Sequence, residues 1–457
     1  MQLPKAKTII EPFRIKTVEP IPFVEADART KLIKEKGFNL FKLPASSVTF
    51  DLLTDSGTSA MSARQWAAMM VGDESYAGSS SFYNFESVVK DITGMHYVIP
   101  THQGRSAEAL LMRAMIKPGQ TVIGNTHFDT TRANIEAQQA TALDLPTLDD
   151  SFKGNIDISR LQKILNKATG NVPLVIMTVT NNAVGGQPVS MKNLQQVKAL
   201  LHERNIPLFI DAARFAENAY LIKRHEPGYE KQSVKEIAKA MFALADGVLM
   251  SAKKDAFGNI GGFLALKDDS LAEEVRSLMV ITEGFPTYGG LAGRDLEALA
   301  VGLQEILSEE YLSYRIRSVE YFGEGIENAG YSVVKPFGGH AVYIDAGKSL
   351  PHLKPLEFPG QSLSVALFEA IGIRGVEVGS VMLGKHHPET GQDEAAPFEL
   401  VRLAMPRRVY TQSHVDYMIE MMGYLHPYVA QLPGYAFDYQ PKVLRHFNAT
   451  FKKLSNL

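Results

Sequence analysis

Short apolar runs alternate with longer helix-period segments through the middle of the chain. The runs are bounded by Gly, Pro, Asn or Asp, which is typical of buried strands; they read HYVIPT, TVIGNTHF, VPLVIMTVT, IPLFIDA, DGVLMSA and GGFLALK. The helical segments include SAEALLMRAMI, SMKNLQQVKALLHERN and SVKEIAKAMFALA. Because the strands are almost continuously apolar and alternate with helices, the pattern predicts an α/β fold with a parallel or mixed sheet covered on both faces.

The pattern changes toward both ends of the chain. The first 60 or so residues are rich in Pro and charge, and they indicate an arm or a fragment of a smaller lobe. Beyond about residue 310, a long helical pattern leads into YSVVKPFGGHAVYIDAG, which predicts strands of a second sheet, and then into a final helix and an extended tail. We therefore predict a large α/β domain over 60–310 and a small α+β domain from 1–59 and 311–457.

Composition narrows the functional classes. A chain of 457 residues is too long for one compact core, and a net charge of −3 gives no electrostatic reason to expect a nucleic-acid partner. The absence of cysteine excludes disulfides, thiolate metal sites and a thiol nucleophile, and it fits a reducing cytoplasm. The N-terminal sequence does not resemble a signal peptide, and no apolar run is long enough to predict a membrane span.

Two strand ends carry side chains suited to chemistry. Lys254 follows the strand DGVLMSA, and a desolvated lysine amine is nucleophilic; the alternative is an exposed loop lysine. Asp211 ends the strand IPLFIDA, where a carboxylate needs a partner; the alternative is a helix N-cap, because a helical pattern follows. In open α/β sheets, ligands bind at these carboxyl ends of strands.

Two further features lie at the same kind of position. Gln103, Gly104 and Arg105 come just before a helix, where backbone N–H groups and an arginine suit a phosphate; an ordinary turn is the alternative. Phe128 follows another strand and could stack on a planar ring or simply pack in the core. The order phosphate turn, aromatic, strand-end Asp and strand-end Lys predicts a pyridoxal-phosphate (PLP) domain of the aspartate-aminotransferase fold type, also called fold type I.

Ten segments carry a resemblance to the tryptophanase and tyrosine phenol-lyase family of β-eliminating lyases, closer to tryptophanase. They cover nearly the whole chain and read DLLTDSGTSAMS, GDESYAGSSSFY, PTHQGRSAE, HFDTTRAN, GGQPVSM, DAARFAENAYLIK, SAKKDAFGNIGG, EGFPTYGGLAGRD, VRLAMPRRVYT and PKVLRHFNA. The resemblance implies PLP-dependent β-elimination from an aromatic L-amino acid, giving the arene, pyruvate and ammonia. It also implies a homotetramer whose subunits share active sites.

The resemblance assigns roles to individual residues. Lys254 is implied to form the Schiff base and to shuttle the α-proton. The other cofactor residues that it implies are Asp211 at the ring nitrogen, Arg214 near the ring oxygen, Phe128 on the ring, Gln103, Gly104, Arg105 and Ser251 at the phosphate, and Tyr288 near a neighbour's cofactor. The implied ligands of the substrate carboxylate are Thr54, Ser56, Asn182 and Arg402, with Arg402 as a bidentate clamp. Tyr76 is implied to reach a neighbour's phosphate and to be a candidate acid, and Glu74 and Asn259 are implied to bind potassium.

Four positions favour an indole over a phenol leaving group. Val378 stands where phenol-lyases have an arginine that binds the phenolic oxygen, and Val376 stands where they have methionine. Asp129 replaces a threonine and could accept a hydrogen bond from an indole N–H, and His446 replaces a phenylalanine. Asp129 could instead cap a helix, and His446 could be structural. The preferred prediction is cleavage of L-tryptophan to indole, pyruvate and ammonia.

Three departures from the family pattern keep alternatives open. Ser106 stands where the family has Gly, Ala183 where it has Ser or Leu, and Asn448 where it has Thr. L-tyrosine, or other β-substituted alanines with good leaving groups, remain possible substrates. Aminotransfer and an inactive PLP-binding scaffold are the other classes that the sequence leaves open.

Overall fold

A computed structural model describes residues 8–147, 152–167, 171–387, 392–441 and 444–454. These residues divide into two compact units. The first unit comprises the described part of Met1–Pro12 together with Ser56–Ile316, and the second comprises Phe13–Asp55 together with the described part of Arg317–Leu457. Each unit combines segments that are distant in sequence. Most of the first 55 residues, Phe13–Asp55, belong to the second unit.

Helices and strands are numbered here in chain order. The α-helices are α1 (Ala26–Glu35), α2 (Ala63–Met70), α3 (Ser80–Thr93), α4 (Gly104–Met115), α5 (Asp129–Ala137), α6 (Ile158–Lys167), α7 (Met191–His202), α8 (Phe215–His225), α9 (Val234–Ala243), α10 (Asp269–Thr282), α11 (Gly293–Glu305), α12 (Glu309–Asn328), α13 (Ala346–Ser349), α14 (Pro359–Ile371), α15 (Gln412–Leu425) and α16 (Arg445–Asn448). The strands are β1 (Phe50–Asp51), β2 (Tyr97–Thr101), β3 (Thr121–Gly124), β4 (Thr141–Asp144), β5 (Val175–Thr178), β6 (Leu208–Asp211), β7 (Gly247–Ser251), β8 (Gly262–Leu266), β9 (Ala341–Asp345), β10 (Ile373–Arg374), β11 (Val376–Val378), β12 (Lys385–His387), β13 (Gln392–Glu394), β14 (Leu400–Ala404), β15 (Tyr435–Tyr439) and β16 (Thr450–Lys453). Short 3₁₀ helices cover Leu40–Lys42, Ala45–Ser47, Asn182–Val184, Pro355–Glu357 and His426–Gln431.

A mixed sheet organises the described part of the first unit. Its seven strands run in the order β2, β8, β7, β6, β5, β3, β4, and only β8 is antiparallel to its neighbours. Successive residues of β6 pack into different cores: Leu208 and Ile210 join one cluster and Phe209 joins the other. Because side chains alternate along a strand, both faces of the sheet are covered. The predicted α/β architecture, with its six apolar strands, is therefore confirmed.

The second unit is built on a small antiparallel sheet. Strand β14 lies between β11 and β9, and the short strand β1 from the N-terminal segment pairs in parallel with β10. Helix α1 is held against the end of α14 because the Arg29 guanidinium donates to the carbonyls of Glu369 and Ala370 at 3.0 and 2.7 Å. The segment Phe13–Asp55 is therefore part of the fold of the second unit.

The expectation of one long helix before the second sheet was wrong. The pattern divides into α11, which ends at Glu305, and α12, which begins at Glu309 directly after Ser308. Its N–H donates to Glu305 O at 3.2 Å, and its hydroxyl accepts from Tyr311 N at 3.2 Å. A local side-chain hydrogen bond of this kind competes with helix continuation.

The extended tail predicted at the C-terminal end was also wrong in part. Strands β15 and β16 form an antiparallel pair, with α16 between them in sequence. Of the segment PKVLRHFNA, residues 442–443 lie outside the described residues. Among the described residues, no helix is both long and apolar enough to cross a membrane.

Candidate active site

The carboxyl ends of three neighbouring strands meet at one edge of the seven-stranded sheet. Strands β5, β6 and β7 are parallel, with Thr178 opposite Asp211 and Asp211 opposite Leu249. Asp211 is the last residue of β6 and Ser251 is the last residue of β7. The register therefore places Asp211 and Ser251 at one edge, with Lys254 three residues further along the chain.

Lys254 lies next to Phe128, as the proposed cofactor site requires. Its Nζ is 5.9 Å from the centroid of the Phe128 ring. Phe128 precedes α5, which begins just beyond the end of β3. The Lys254 carbonyl accepts from Phe257 N at 2.9 Å, so a turn fixes the backbone that carries the amine. The structure thus brings together a lysine and an aromatic ring that are 126 positions apart in sequence.

Burial and charge oppose each other at Asp211. Burial has the larger effect and raises the pKa of its carboxyl group, while Lys254, a hydrogen bond from Ala213 N and Arg214 lower the pKa and offset burial only in part. The bond from Ala213 N measures 3.2 Å, and the buried Arg214 is the N-cap of α8. A carboxylate held in this way can accept a hydrogen bond from a protonated ring nitrogen.

The start of α4 forms a cradle that admits no additional side-chain atom. A Cβ added to Gly104 would lie 2.7 Å from Ser251 Cβ, and one added to Gly262 would lie 2.6 Å from Gly104 N. The N-cap residue Gln103 makes no side-chain bond to the helix, and the side chain of Arg105 is exposed. Uncapped N–H groups with a nearby guanidinium suit a phosphate. Together with Asp211, Lys254 and Phe128, these residues fit PLP.

Three other residues of the first unit were predicted to contact the substrate: Asn182, Ser56 and Asp129. Asn182 is buried at the start of a 3₁₀ helix after β5, and Ser56 precedes Gly57, whose N–H donates to Lys253 O at 2.7 Å. Asp129 is the first residue of α5 and its Oδ1 accepts from Thr130 N at 2.6 Å. Nothing in the structure explains why alanine stands at position 183.

Tyr76 and Tyr288 form an aromatic cluster on the surface of this unit. Their ring centroids are 5.3 Å apart, and the Phe285 centroid is also 5.3 Å from Tyr76. The hydrogen bond between the two tyrosines is the main cause that raises the pKa of Tyr76. The two phenols therefore lie together at the surface, where Tyr76 is 68% exposed and Tyr288 is half-buried.

The two predicted potassium ligands make separate contacts. The Glu74 carboxylate accepts from Gly293 N at 2.6 Å and from Arg294 N at 3.1 Å, so it caps the start of α11. Asn259 Nδ2 donates to Gly57 O at 3.1 Å. Among the described residues, no hydrogen bond joins these side chains, and no group of three His, Cys, Asp or Glu side chains is arranged for a metal ion. Potassium binding stays a prediction.

The second unit brings together the other predicted substrate residues. Arg402 lies opposite Val376 in the register of β14 and β11, and its Nη2 donates to Leu53 O at 3.1 Å. Thr54 follows Leu53 directly. Val376 and Val378 are each 2% exposed, on one face of β11, in an apolar cluster against which Leu53 and Phe41 pack.

His446 belongs to the same region of the second unit. Its ring centroid is 5.7 Å from Phe41 and 4.0 Å from Phe447, and only 5% of the residue is exposed. Asn39 Nδ2 donates to its carbonyl at 3.1 Å. Phe41 thus links His446 to the face of β11 that carries Val376 and Val378. Asn448, which stands where the family has Thr, accepts a hydrogen bond on its backbone carbonyl from Lys42 Nζ at 2.9 Å.

Glu108 is a residue of the first unit that the sequence interpretation missed. Its carboxylate accepts from the hydroxyls of Thr130 and Thr131 at 2.7 and 2.9 Å, and burial together with Asp211 raises its pKa to about 7. It therefore fixes the start of α5 beside Asp129. The signal that could have revealed it is a charge on the apolar face of α4, one residue from the buried Ala107.

A pair of buried acids stands behind β11 in the second unit. Glu377 alternates with Val376 and Val378 and points away from the apolar cluster, where it and Glu399 are 3% and 4% exposed. A Cβ placed on Gly379 would lie 2.7 Å from Glu377 Oε1 and 2.6 Å from Glu399 Oε2. Burial raises the pKa of Glu377 to about 8, with a further contribution from Glu399, and burial raises that of Glu399 to about 7.

This acid pair should make stability fall as the pH rises. In the unfolded chain both groups ionise near 4.5, whereas in the folded chain they keep protons until about pH 7 to 8. The folded state therefore binds more protons within this window, and the free energy of unfolding decreases from about pH 4.5 to about pH 8. We expect Glu399→Gln to flatten this decrease in thermal melts over that range. The exposed variant Glu420→Gln serves as the control and should leave the dependence of melting temperature on pH unchanged. If Glu399→Gln also leaves it unchanged, the assignment of the acid pair is refuted.

Comparison with known proteins identifies the family of the chain. Residues 51–421 match the family model described as beta-eliminating lyase. The chain is 57% identical to a tryptophanase of Salinibacter ruber (97% of this chain, 95% of the relative) and 54% identical to a tryptophanase of Hyphomonas neptunium (98% and 100%). It is 44% identical to a tyrosine phenol-lyase of Symbiobacterium sp. (97% and 99%).

Solved structures share the fold at low sequence identity. A serine palmitoyltransferase of Sphingomonas wittichii matches with a TM-score of 0.60 and 13% identity, covering 89% of this chain and 97% of that one. A structure of SPT with PLP matches with a TM-score of 0.58 and 13% identity, covering 88% and 96%. The predicted fold type I architecture is confirmed. The chain belongs to the β-eliminating lyase family and is a PLP-dependent carbon–carbon lyase.

Proposed function

We propose that the chain cleaves L-tryptophan with water to indole, pyruvate and ammonia. The observation that carries the proposal is the apolar face of β11, where Val376 and Val378 are buried in the cluster that Phe41 joins to His446. A valine offers no hydrogen-bond donor to a phenolic oxygen. The greater identity to proteins named tryptophanase than to those named tyrosine phenol-lyase supports the same substrate.

In the first unit, the proposed roles follow from position. PLP, when bound, supplies an electron sink for the charge that develops at the α-carbon. Lys254 Nζ holds the cofactor and then takes the α-proton, because its amine lies beside the Phe128 ring and close enough to Asp211 to affect the pKa of that carboxyl group. Asp211 keeps a proton on the ring nitrogen, and Gln103 to Arg105 with Ser251 bind the phosphate. Asn182 and Ser56 are proposed to contact the substrate carboxylate.

In the second unit, Arg402 is proposed to bind the substrate carboxylate by a bidentate contact, with Thr54 beside it. Its guanidinium is already oriented by the bond to Leu53 O. His446 is proposed to contact the indole ring, because its imidazole packs against two phenylalanines in a largely water-excluded position.

The reaction needs a proton on the leaving carbon. After the α-proton has been removed, the ring carbon attached to the β-carbon must be protonated before the bond between them can break. The protonated ring carries a positive charge, which a hydrogen bond from the indole N–H to the Asp129 carboxylate is proposed to stabilise. The bond then breaks with its electron pair on the ring, which leaves as neutral indole. Tyr76 of a neighbouring subunit is the proposed proton donor. Water then releases pyruvate and ammonia.

A substrate panel tests the proposal. With PLP and potassium present, pyruvate release should be fastest from L-tryptophan, slower from an S-alkyl-L-cysteine and slowest from L-tyrosine, because the apolar face of β11 cannot bind a phenolate. Pyruvate and indole are measured together without any keto acid. Tyrosine as the best substrate would overturn the assignment, and a single turnover without indole would indicate aminotransfer instead.

Asp129→Asn provides a matched control for the panel. The amide keeps an oxygen for Thr130 N but removes the negative charge opposite the proposed indole N–H. We expect turnover of L-tryptophan to fall by about 10²-fold and turnover of the S-alkyl-cysteine, whose sulfur leaves without ring protonation, to change little. Equal losses with both substrates would mean that Asp129 has only a structural role.

Three further predictions from the sequence remain proposals. Potassium is proposed to bind at Glu74 and Asn259, and the chain is proposed to form a homotetramer in the cytoplasm. The exposed ring of Tyr76, packed against the half-buried Tyr288, supports a contact with a neighbouring subunit, since large aromatic side chains on a surface often mark interfaces.

A further inference from the structure

His102 is the hub of a hydrogen-bond chain directly before the phosphate turn. Its Nδ1 is 2.6 Å from Glu283 Oε2, its backbone N–H donates to the same oxygen at 3.1 Å, and its Nε2 is 2.9 Å from Gln103 Nε2. The fourth contact joins Nδ1 to Ser106 Oγ at 3.2 Å. All of these groups belong to the first unit, and the proposed chemistry uses none of them except Gln103.

We propose that Glu283 and His102 are positioning residues that orient the side-chain amide of Gln103 toward the phosphate of the cofactor. This inference rests on the proposed function, because it takes the start of α4 as the phosphate site. It adds two residues that touch neither substrate nor cofactor and act through Gln103.

The tautomer of His102 carries the argument. A carboxylate is only an acceptor, so the short contact with Glu283 requires the imidazole proton on Nδ1. In the neutral ring Nε2 is then an acceptor, and its partner in Gln103 must present the amide nitrogen rather than the amide oxygen. One amide N–H is used on His102, and the second N–H stays available to a phosphate oxygen. Through two successive hydrogen bonds, the carboxylate of Glu283 thereby determines that the amide nitrogen of Gln103, rather than its oxygen, lies on the His102 side and has an N–H left for an anion.

The segment that carries Glu283 is fitted closely to the phosphate turn. The Glu283 side chain is only 7% exposed. A Cβ on Gly289 would lie 1.9 Å from Pro100 O, and one on Gly290 would lie 3.5 Å from His102 Cβ and 3.6 Å from Glu283 Oε2. Both glycines have positive φ angles of 58° and 75°, so a larger residue would be strained there as well as crowded. Because the backbone at Gly289 and Gly290 packs this closely against Pro100 and His102, the Glu283 carboxylate has little room to move away from His102.

The same hydrogen-bond chain gives a structural role to Ser106, which stands where the family has Gly. Its hydroxyl provides a second acceptor at His102 Nδ1, at 3.2 Å compared with 2.6 Å for the carboxylate. The longer contact is the weaker one. Ser106 therefore supplements the hydrogen bond to Glu283 without replacing it.

Cofactor affinity tests the inference without relying on turnover. The full-length protein, stripped of PLP, is titrated with PLP and separately with pyridoxal, which lacks the phosphate. Glu283→Ala should raise the Kd for PLP about tenfold, equivalent to one hydrogen bond of about 1.4 kcal/mol, and leave the Kd for pyridoxal within about twofold. His102→Asn, which keeps a donor for Glu283 but loses the acceptor for Gln103, should behave like Glu283→Ala.

Two further variants separate positioning from folding. Glu283→Gln should restore PLP affinity to within about threefold, because its amide oxygen can accept the same two hydrogen bonds. Glu274→Gln, on the exposed face of α10, serves as the matched control and should change neither Kd. Equal weakening of PLP and pyridoxal, or no weakening of either, would overturn the inference. Failure of the unmodified protein to bind PLP would instead refute the proposed function.

Discussion

Replacement of Lys254 by alanine is expected to abolish turnover of L-tryptophan, with a loss of at least about 10³-fold. The amine both attaches the cofactor and moves the α-proton, and positioned proton transfer alone contributes about 10² to 10⁴ in rate. The visible absorption of the lysine-bound cofactor should disappear in the same variant. Pyruvate release and the absorption spectrum measure the two effects on one sample.

Lys253 provides a neighbouring control for Lys254. Burial and the charge of Arg105 lower the pKa of Lys253. Its side chain lies next to Gly57, whereas the Lys254 amine lies over the Phe128 ring. Lys253→Ala should keep turnover within about tenfold, because it removes no group that is proposed to touch the substrate. Loss of activity in Lys253→Ala with retention in Lys254→Ala would show that the two lysines have been assigned in the wrong order.

Arg402→Ala is expected to raise the KM for L-tryptophan about 100-fold while the protein stays folded. A bidentate contact with a carboxylate comprises two charge-assisted hydrogen bonds, and their loss corresponds to about 3 kcal/mol. Arg402→Lys should recover only part of this loss, since an ammonium group cannot make the planar two-bond contact. Steady-state kinetics and a thermal melt distinguish the binding effect from unfolding.

Arg407 shows what a structural arginine of the same segment does. Its Nη1 donates to Asp55 Oδ2 at 2.9 Å, and neither side chain is more than 2% exposed. Arg407→Ala should therefore destabilise the fold by about 3 to 5 kcal/mol, which Arg402→Ala should not do. A change in melting temperature for Arg402→Ala as large as for Arg407→Ala would place Arg402 among the structural residues.

Local sequence signals were sufficient for most strands of the first unit. Strands such as β6 and β7 are nearly continuous apolar runs, so their ends, and with them Asp211, could be predicted from the sequence, whereas Ser251 was named only through the family resemblance. The break between α11 and α12 was missed because the apolar period continues across it, whereas the new start is marked by local hydrogen bonds such as the one from Tyr311 N to the Ser308 hydroxyl.

Long-range contacts lay beyond the sequence pattern. The pairing of β15 with β16 and the approach of Glu377 to Glu399 join residues that are 11 or more positions apart. The chain from Glu283 through His102 to Gln103 depends on a separation of 181 positions. Arg402 and His446 carry no local signal for substrate binding, so they could be proposed only from the family resemblance.

Reductive trapping of the lysine-bound cofactor would test the assignment of Lys254 most directly. The holoprotein is treated with borohydride, digested, and the modified peptide is sequenced by mass spectrometry. We expect the pyridoxyl group on Lys254 and none on Lys253, because the Lys254 amine is the one beside the Phe128 ring. Modification of Lys253, or a protein that carries PLP without any lysine modification, would contradict the structure-based assignment of the site.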